Sequence, residues 1–221
     1  MRRKLLLLLS LGYLPLLSIL PLQAQAADPL WLQTLQFLEQ QKQVVPDESS
    51  TRIEATTNYT DTTLTRRKLD RWEGGKPIYR ITAAEPPLAP GDAEREQQNQ
   101  QISDTMSRGQ EWLQPDTPVR RSDGVALDGK TWTLFEAEDK GFTRSVQLRA
   151  WVDPESGRPH RVDIQGRFMR VIRLDVSSRY QIDGRGRSLA DQVEGSLKVD
   201  TLGKGVNLRF GIQVDAWAER P

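Results

Sequence analysis

The side chains of this sequence that could carry chemistry are few. His160 is the only histidine and there is no cysteine, which excludes disulfides, thiolate metal ligands, cysteine nucleophiles and multi-histidine metal centres. Glu136 and Glu138 lie two residues apart, and a pair of carboxylates is the machinery of glycoside hydrolysis. The segment Asp183-Gly-Arg-Gly-Arg187 has the composition of a phosphate-binding turn.

A structural interpretation fits each of these candidates better. His160 follows a proline at the start of a predicted strand, and no serine lies in a Gly-x-Ser-x-Gly motif. Glu136 and Glu138 share the solvated face of a strand, and Asp183-Gly184 is typical of a hairpin turn. We therefore expect no catalytic residue, no metal ligand and no cofactor, and a protein that is not an enzyme.

The charge balance excludes a further class of protein. The chain has 31 Lys and Arg against 30 Asp and Glu. The first 26 residues hold three of the basic side chains and no acidic one, which leaves 28 against 30. A near-neutral chain argues against nucleic-acid binding, which needs a basic face to displace counterions.

The N-terminus has the three parts of a secretory signal in order. Arg2-Arg3-Lys4 is followed by the apolar run Leu5–Leu22 and by the small-residue site Ala24-Gln25-Ala26. Cleavage after residue 26 is expected, since Pro15 and Pro21 interrupt the run; an uncleaved anchor is the alternative. The short, Arg-led signal is typical of bacteria. We expect a periplasmic protein with no stable membrane span after cleavage. It should not itself be a lipoprotein, because the cleavage site lacks the cysteine that would carry the lipid.

The first segment after the signal has helical periodicity. Trp31, Leu35 and Leu38 recur at spacings of three and four. Asp28 can cap the N-terminus, and Pro29 suits the first turn. This predicts an amphipathic helix over residues 29–43.

Most of the remaining chain alternates apolar and polar residues with a period of two. This predicts an antiparallel meander of seven to nine strands with one apolar and one polar face. The predicted strands are 51–60, 63–70, 77–83, 131–136, 146–152, 162–168, 172–182, 193–199 and 206–216.

The segment 85–114 is an exception. It begins with prolines, and its part 92–110 is rich in Gln and Glu, with Ile102 and Met106 four residues apart. We expect a partly formed helix, because so small an apolar face cannot offset the entropy of ordering the segment. It would serve as a movable lid over the sheet, or be a solvated excursion without a role.

One helix of about four turns is too small to cover the apolar face of so many strands. The sheet must curl on itself, or a ligand must cover it. The candidate ligand-binding residues are Leu35, Leu38, Leu148, Val152, Ile164, Leu174, Leu208, Phe210 and Ile212.

The polar face raises two alternatives. Outward arginines on the strands alternate with aspartates, which fits cross-strand pairing on a solvated face; contact with anionic lipid is the alternative. These arginines are Arg149, Arg161, Arg173, Arg179 and Arg209.

The tryptophans near strand ends, Trp151 and Trp217, either pack against the core or rim a hydrophobic cavity.

Two motifs carry a family resemblance. They are Trp151-Val-Asp-Pro-Glu-Ser-Gly-Arg-Pro159 and Asp128-Gly129-Lys130 followed by Trp132. With the signal and the order of elements, they resemble the periplasmic lipoprotein-localisation-factor superfamily, which is outer-membrane lipoprotein-sorting-protein-like. The resemblance implies an α+β fold for a single domain 27–221: a curved antiparallel β-sheet, or half-barrel, with helices on the concave face.

The resemblance also implies a function, since members carry the acyl chains of lipoproteins or sense mislocalised ones. The expected function is a periplasmic, non-enzymatic binding or chaperone module for a hydrophobic ligand. The expected partner is an acyl chain or a lipidated envelope protein. The alternative is a structural or protein-interaction envelope domain with a filled core and no ligand.

Overall fold

A computed structural model of the chain describes residues 28–57, 59–87, 118–169, 171–201 and 204–221. The expected signal peptide, and the helix and lid expected within 85–114, lie outside the described residues.

The described residues form one α-helix, one short 3₁₀ turn and ten strands. The helix α1 spans Pro29–Gln40 and the 3₁₀ turn Gln41–Gln43. The strands are β1 Val44–Thr56, β2 Thr60–Glu73, β3 Lys76–Glu85, β4 Val119–Leu127, β5 Lys130–Lys140, β6 Arg144–Val152, β7 Pro159–Phe168, β8 Ile172–Ile182, β9 Ser188–Thr201 and β10 Lys204–Glu219.

All ten strands belong to one antiparallel sheet of order β3-β2-β1-β10-β9-β8-β7-β6-β5-β4. The sheet is open, with β3 and β4 at its edges. Strands that follow each other in sequence pair as hairpins, except β3 and β4. The pairing of β1 with β10 brings the two ends of the described chain together, for instance Val44 opposite Glu219. The antiparallel meander is confirmed, with one strand more than the largest number expected.

The N-terminus of α1 is capped as predicted. The Oδ1 atom of Asp28 accepts hydrogen bonds from the backbone nitrogens of Leu30 at 2.9 Å and Trp31 at 3.3 Å. These bonds satisfy donors that a helix leaves free in its first turn. The α-helix ends at Gln40, three residues earlier than expected, and continues as the 3₁₀ turn.

The start of β1 differs from the prediction. The strand begins at Val44 and passes through Pro46, whereas the sequence predicted a strand over 51–60. Proline has no N–H for the ladder, and the register with β10 shifts between Pro46 and Glu48. At its C-terminal end, β1 stops at Thr56 and not at Thr60 as predicted. Thr60 is the first residue of β2, because the turn between β1 and β2 precedes it.

Strand β4 was missing from the sequence prediction. It is an edge strand with several charged side chains, and its apolar and polar residues alternate only weakly because one of its two edges is exposed to solvent. Its register with β5 shifts between Ser122 and Val125, around Gly124 at a φ of 75°. The Asp128-Gly129 pair then turns the chain into β5.

The core lies between α1 and one face of the sheet, which we call the apolar face. Helix α1 lies against β7 and β9, and the indole of Trp31 is 0% exposed with its ring centroid 5.2 Å from that of Phe135 on β5. The two-residue alternation places the inward residues of β5 to β10 on this face. The main cluster is Leu30, Trp31, Leu38, Phe135, Ala137, Val146, Leu148, Ala150, Val152, Val162, Ile164, Val176, Tyr180, Ala190, Val193, Phe210, Ile212 and Val214.

The turn between β6 and β7 holds the helix in place. The buried hydroxyl of Thr34 lies 2.9 Å from the carbonyl oxygen of Gly157 and 3.0 Å from that of Leu30. Gly157 has a φ of +69°, and a Cβ there would lie 3.1 Å from the Leu30 oxygen and 3.1 Å from the Cβ of Gln33. Only glycine combines this conformation with so close an approach to the helix.

The same turn is stabilised from within by Asp153. Its Oδ1 atom accepts hydrogen bonds from the backbone nitrogen of Ser156 at 2.7 Å and from its hydroxyl at 2.8 Å. Burial works to raise the pKa of Asp153, but these bonds and one from Glu155 outweigh it and hold the pKa below its usual value. The motif that carries the family resemblance therefore forms the contact between sheet and helix.

Replacing Trp31 with alanine should lower the free energy of unfolding by about 3–5 kcal/mol, because it removes a fully buried indole from between α1 and β5. Leu32→Ala is the matched control. Leu32 is adjacent on the helix but 39% exposed, so its replacement should cost at most about 0.5–1 kcal/mol. Urea denaturation followed by circular dichroism measures both, and equal costs would contradict the described helix orientation.

The contact at Gly157 predicts a difference between two glycines. Gly186 also has a positive φ, +78°, but a Cβ there meets nothing within 4 Å. Gly186→Ala should cost about 1–2 kcal/mol for the left-handed backbone alone. Gly157→Ala should cost about 1–3 kcal/mol more, because the methyl group also presses on α1. The comparison uses chemical denaturation of the two variants; matching costs would exclude the tight contact.

Candidate functional site

The acidic residues that suggested chemistry are held in ion pairs. Glu136 accepts a hydrogen bond from Arg120 Nε on β4 at 3.1 Å, and Glu138 lies 2.9 Å from Lys140 Nζ. Both carboxylates thus have a cation as neighbour, as on an ordinary solvated strand face.

His160 is half-buried rather than exposed, because its ring stacks on that of Trp132. The ring centroids are 4.3 Å apart and the planes differ by 1°, while Nε2 lies 3.4 Å from Asp128 Oδ2. The histidine therefore ties β7 to the turn between β4 and β5.

The segment from Asp183 to Arg187 forms the hairpin turn between β8 and β9, as predicted. Asp183 Oδ1 accepts hydrogen bonds from the backbone nitrogens of Arg185 at 2.9 Å and Arg187 at 2.8 Å. The carboxylate of Asp183 occupies the backbone donors that a phosphate would need.

Within the ranges that the structure describes, no group of three or more His, Asp or Glu side chains is placed to hold a metal ion. Among the same residues, no helix is long and apolar enough to cross a membrane.

The structure places seven of the nine predicted ligand-binding residues on the apolar face of the sheet, and the other two, Leu35 and Leu38, on the side of α1 that packs against it. Six of the nine are buried in the main cluster, and three are partly buried against it. The buried ones are Leu38, Leu148, Val152, Ile164, Phe210 and Ile212. The partly buried ones are Leu35, Leu174 and Leu208.

The apolar face has two unequal parts. Under α1 it is packed solid, since Trp31, Phe135 and Val152 have no exposed surface. Near the β7–β8 and β9–β10 turns, most of the apolar side chains of β8, β9, β10 and β1 are only partly buried. We call this second part the apolar strip; its residues are Leu174, Leu197, Leu208, Phe210 and Ile53. Leu174, Leu197 and Leu208 are direct cross-strand neighbours.

Two glycines flatten this region of the face. A Cβ on Gly195 would overlap Phe210 Cζ and lie 2.8 Å from the carbonyl oxygen of Asp175, and one on Gly166 would lie 2.7 Å from Phe168 Cε2. The Phe210 ring therefore lies across the neighbouring strand β9, and the Phe168 ring folds back over Gly166 of its own strand. Such packing makes a broad, shallow floor.

A buried polar patch continues the apolar strip along β1 and β2. Ser49, Thr51, Thr65 and Arg67 are buried, with Arg67 only 6% exposed. Ser49 pairs with Arg67, and Thr51 with Thr65, in register. The sequence did not reveal these residues, because polar side chains at inward positions hide the apolar–polar alternation. The inward position of Ile53 could have shown that Thr51 and Ser49, two and four residues earlier, face the same side.

Arg67 is held by two described contacts. Its Nε donates a hydrogen bond to Ser49 Oγ at 2.9 Å, and its guanidinium lies over the Tyr79 ring, 4.6 Å from the centroid. A cation is thus fixed on the apolar face beside the apolar strip.

A cavity of about 530 Å³ lies beside the same strands on the polar face of the sheet, since most of its lining side chains alternate with Ser49 and Arg67. It is lined by Glu48, Ser49, Ser50, Arg66, Arg67, Lys68, Thr82 and Asp215. Lys68 Nζ lies 2.5 Å from Glu48 Oε1, and this hydrogen bond raises the pKa of Lys68. On this face Arg66 and Lys68 stand against Glu48 and Asp215, so the lining has no excess of positive charge.

The other face of the sheet is polar, and Trp151 packs there. Trp151 is buried between the guanidinium groups of Arg149 and Arg161, at 5.6 and 5.5 Å from its ring centroid. Arg161 also pairs with Asp163 at 2.8 Å. Trp151 therefore supports the polar face and does not rim a ligand site on the apolar face.

Comparison with known proteins gives no assignment. No protein-family model matches the chain, and no curated protein matches it. Solved structures give weak likenesses at the level of overall shape. A LolA superfamily protein from Nitrosomonas europaea has a TM-score of 0.30 and 13% identity, over 83% of this chain and 94% of that one.

Two further solved structures are similarly weak matches. A DUF1329 family protein from Desulfovibrio piger has a TM-score of 0.31 and 11% identity, covering 86% of this chain and 94% of its own. MucB, solved in complex with MucA(peri), has a TM-score of 0.23 and 8% identity, covering 85% and 98%. At these scores the likenesses carry no argument about family, ligand or partner.

One partly buried carboxylate, on β9, is incompletely hydrogen-bonded within the described chain. Asp191 lies in β9 at a shift in the register with β8, and its Oδ1 atom has no hydrogen-bond partner in the described chain. Burial raises the pKa of Asp191 above its usual value. The folded protein therefore binds a proton at Asp191 more tightly than the unfolded chain does, and its contribution to stability falls as pH rises through the raised pKa.

Asp191→Asn should consequently stabilise the protein at pH 7, because it removes the cost of a buried charge. The gain should shrink on acidification towards pH 4, where the wild-type carboxyl is increasingly protonated. Denaturant unfolding across this pH range measures the effect, with Asp175→Asn, an exposed change on β8, as control for net charge. A gain that does not vary with pH would contradict the raised pKa.

Proposed function

We propose that this protein is a non-enzymatic binding module of the bacterial cell envelope that shelters an acyl chain, free or attached to a protein, on the apolar strip. The anionic or polar head of the ligand lies at the patch around Arg67. The motif-based resemblance to lipoprotein-localisation factors supports the same class of ligand.

The observation that carries the proposal is the mismatch between α1 and the sheet. A helix of twelve residues is about 18 Å long, whereas ten strands at about 4.8 Å spacing span about 43 Å. The helix lies against β7 and β9 at the side of the β6–β7 turn, and the apolar strip lies beyond it, near the β7–β8 and β9–β10 turns. Burial of an acyl chain there would contribute about 0.8 kcal/mol per methylene group.

The polar patch gives the ligand a direction. On β1, Ile53, Thr51 and Ser49 follow each other at two-residue steps on the apolar face, so the strip and the Arg67 contact lie about 13 Å apart. A chain lying along β1 and β10 would reach from the phenyl ring of Phe210 to the guanidinium of Arg67. An amphipathic anion fits this order, with its tail on the strip and its head at the cation.

The packing under α1 favours a second candidate, a structural or protein-interaction domain with no ligand. Trp31, Phe135 and Val152 leave no space between the helix and the sheet. If the apolar strip is closed in the same way in solution, the domain has a filled core, and its role lies in contacts with other envelope proteins.

The acyl proposal is tested with a fluorescent fatty acid titrated into the secreted protein. Leu208→Asn should raise the Kd by about tenfold or more, since it puts an amide on the floor of the strip; tenfold corresponds to about 1.4 kcal/mol. Arg209→Asn is the matched control, because Arg209 is the next residue of β10, is exposed and faces the other side. Its Kd should stay within twofold of the wild type.

Two results would contradict the proposal. One is the absence of fluorescent fatty-acid binding together with a bare polypeptide mass in native mass spectrometry of protein from the cell envelope. The other is equal loss in the two variants, which would place the ligand elsewhere.

A fatty alcohol of the same length should bind more weakly than the fatty acid, because only the acid carries a charge for Arg67.

A further inference from the structure

The exposed apolar side chains of the described chain gather at one end of the sheet. Seven large hydrophobic residues are exposed, and five of them lie at the end with the β1–β2, β5–β6, β7–β8 and β9–β10 connections. We call this end the hairpin end. Its five exposed residues are Tyr59, Phe142, Met169, Val171 and Val206.

The hairpin end is a connected edge rather than a set of separate loops. The backbone nitrogen of Met169 donates to the Thr143 oxygen at 2.7 Å, and that of Asp200 donates to the Val171 oxygen at 2.8 Å. The β5–β6 and β7–β8 turns and the end of β9 are therefore tied side by side. Phe142, at 106% relative exposure, protrudes fully from this edge.

A row of cations lies immediately behind the apolar tips on the polar face. Arg167, Arg173 and Lys198 are direct cross-strand neighbours on β7, β8 and β9, and all three are exposed. Like charges directly opposite each other destabilise a sheet. Within the described chain none of the three makes an ion pair with an acid, unlike Lys140 with Glu138 at 2.9 Å.

The acids around this row do not neutralise it. Asp175 lies one register step deeper on β8, and Asp200 lies at the end of β9. Two carboxylates against three cations leave an excess of positive charge. Arg144 and Lys140, two further cations at this end, are paired with Asp139 at 2.6 Å and Glu138 at 2.9 Å and add nothing to the excess.

We propose that the hairpin end docks on an anionic lipid bilayer, with the apolar tips inserted at the interface and the row Arg167, Arg173 and Lys198 against the lipid phosphates. Exposed apolar side chains backed by cations are the combination that binds such surfaces. The tips extend across eight neighbouring strands, about 34 Å, as single side chains. A protein interface would instead bury one continuous apolar centre.

This inference does not depend on acyl binding at the apolar strip. It is tested by flotation of the secreted protein, free of added fatty acid, with vesicles of 70% phosphatidylcholine and 30% phosphatidylglycerol. Arg167→Gln, Arg173→Gln and Lys198→Gln together should weaken binding roughly a hundredfold, about fivefold for each cation. Phe142→Ser should weaken it about tenfold, and added salt should weaken the wild type.

Matched controls come from the same strand away from the hairpin end. Arg179→Gln removes an exposed cation of β8, and Ile182→Ser removes an exposed apolar residue at its far end. Both should float like the wild type. No variant should melt below the wild type, since the side chains are exposed, and the triple variant should melt slightly higher because it relieves the repulsion within the row.

Three outcomes would overturn the proposal. The first is the absence of flotation of the wild type, and the second is equal flotation with pure phosphatidylcholine and no effect of salt. The third is a dimer in analytical ultracentrifugation that Phe142→Ser dissociates, which would make a second copy of the chain the occupant of the hairpin end.

Discussion

A sheet with one apolar face must cover that face, and this requirement organises the molecule. Among the described elements only α1 is available for it, and the helix is placed by two contacts. Trp31 fills the space above β5, and the Thr34 hydroxyl bonds to the carbonyl of Gly157 in the β6–β7 turn. Because the helix is short, it seals the middle of the sheet and leaves β8, β9, β10 and β1 incompletely covered near the β7–β8 and β9–β10 turns.

This unequal coverage relates the fold to the proposed function. The sealed part gives a rigid core, and the apolar strip offers a flat floor, since the Phe168 ring lies over Gly166 of its own strand and the Phe210 ring lies over Gly195 of the neighbouring strand. Burying Arg67 costs free energy. Ser49 and Tyr79 offset part of that cost, and the arginine supplies a fixed positive charge beside an apolar surface. The pair of features matches a ligand with a hydrocarbon tail and an anionic head.

The polar face distributes its charges unevenly. Towards the end that carries the β6–β7 and β8–β9 turns, arginines are paired or packed, as Arg161 is with Asp163 and Trp151, and as Arg187 is with Asp183 and Glu219. At the hairpin end, Arg167, Arg173 and Lys198 stand together without such partners in the described chain. Mutual repulsion is unfavourable for folding alone, so an external anion gives the arrangement a physical reason.

The sequence by itself determined the local features: the Asp28 cap and length of α1 to within three residues, the two-residue alternation, and the hairpin at Asp183. Alternation also placed the seven predicted strand residues on one face, because its parity is a property of the strand alone. Helical periodicity placed Leu35 and Leu38 on the side of α1 that faces them. The tertiary structure decided what depends on distant neighbours. It paired β1 with β10, carried β1 through Pro46, recruited the charged edge strand β4, and buried Arg67. These features follow from the register and coverage of the whole sheet, which no local pattern specifies.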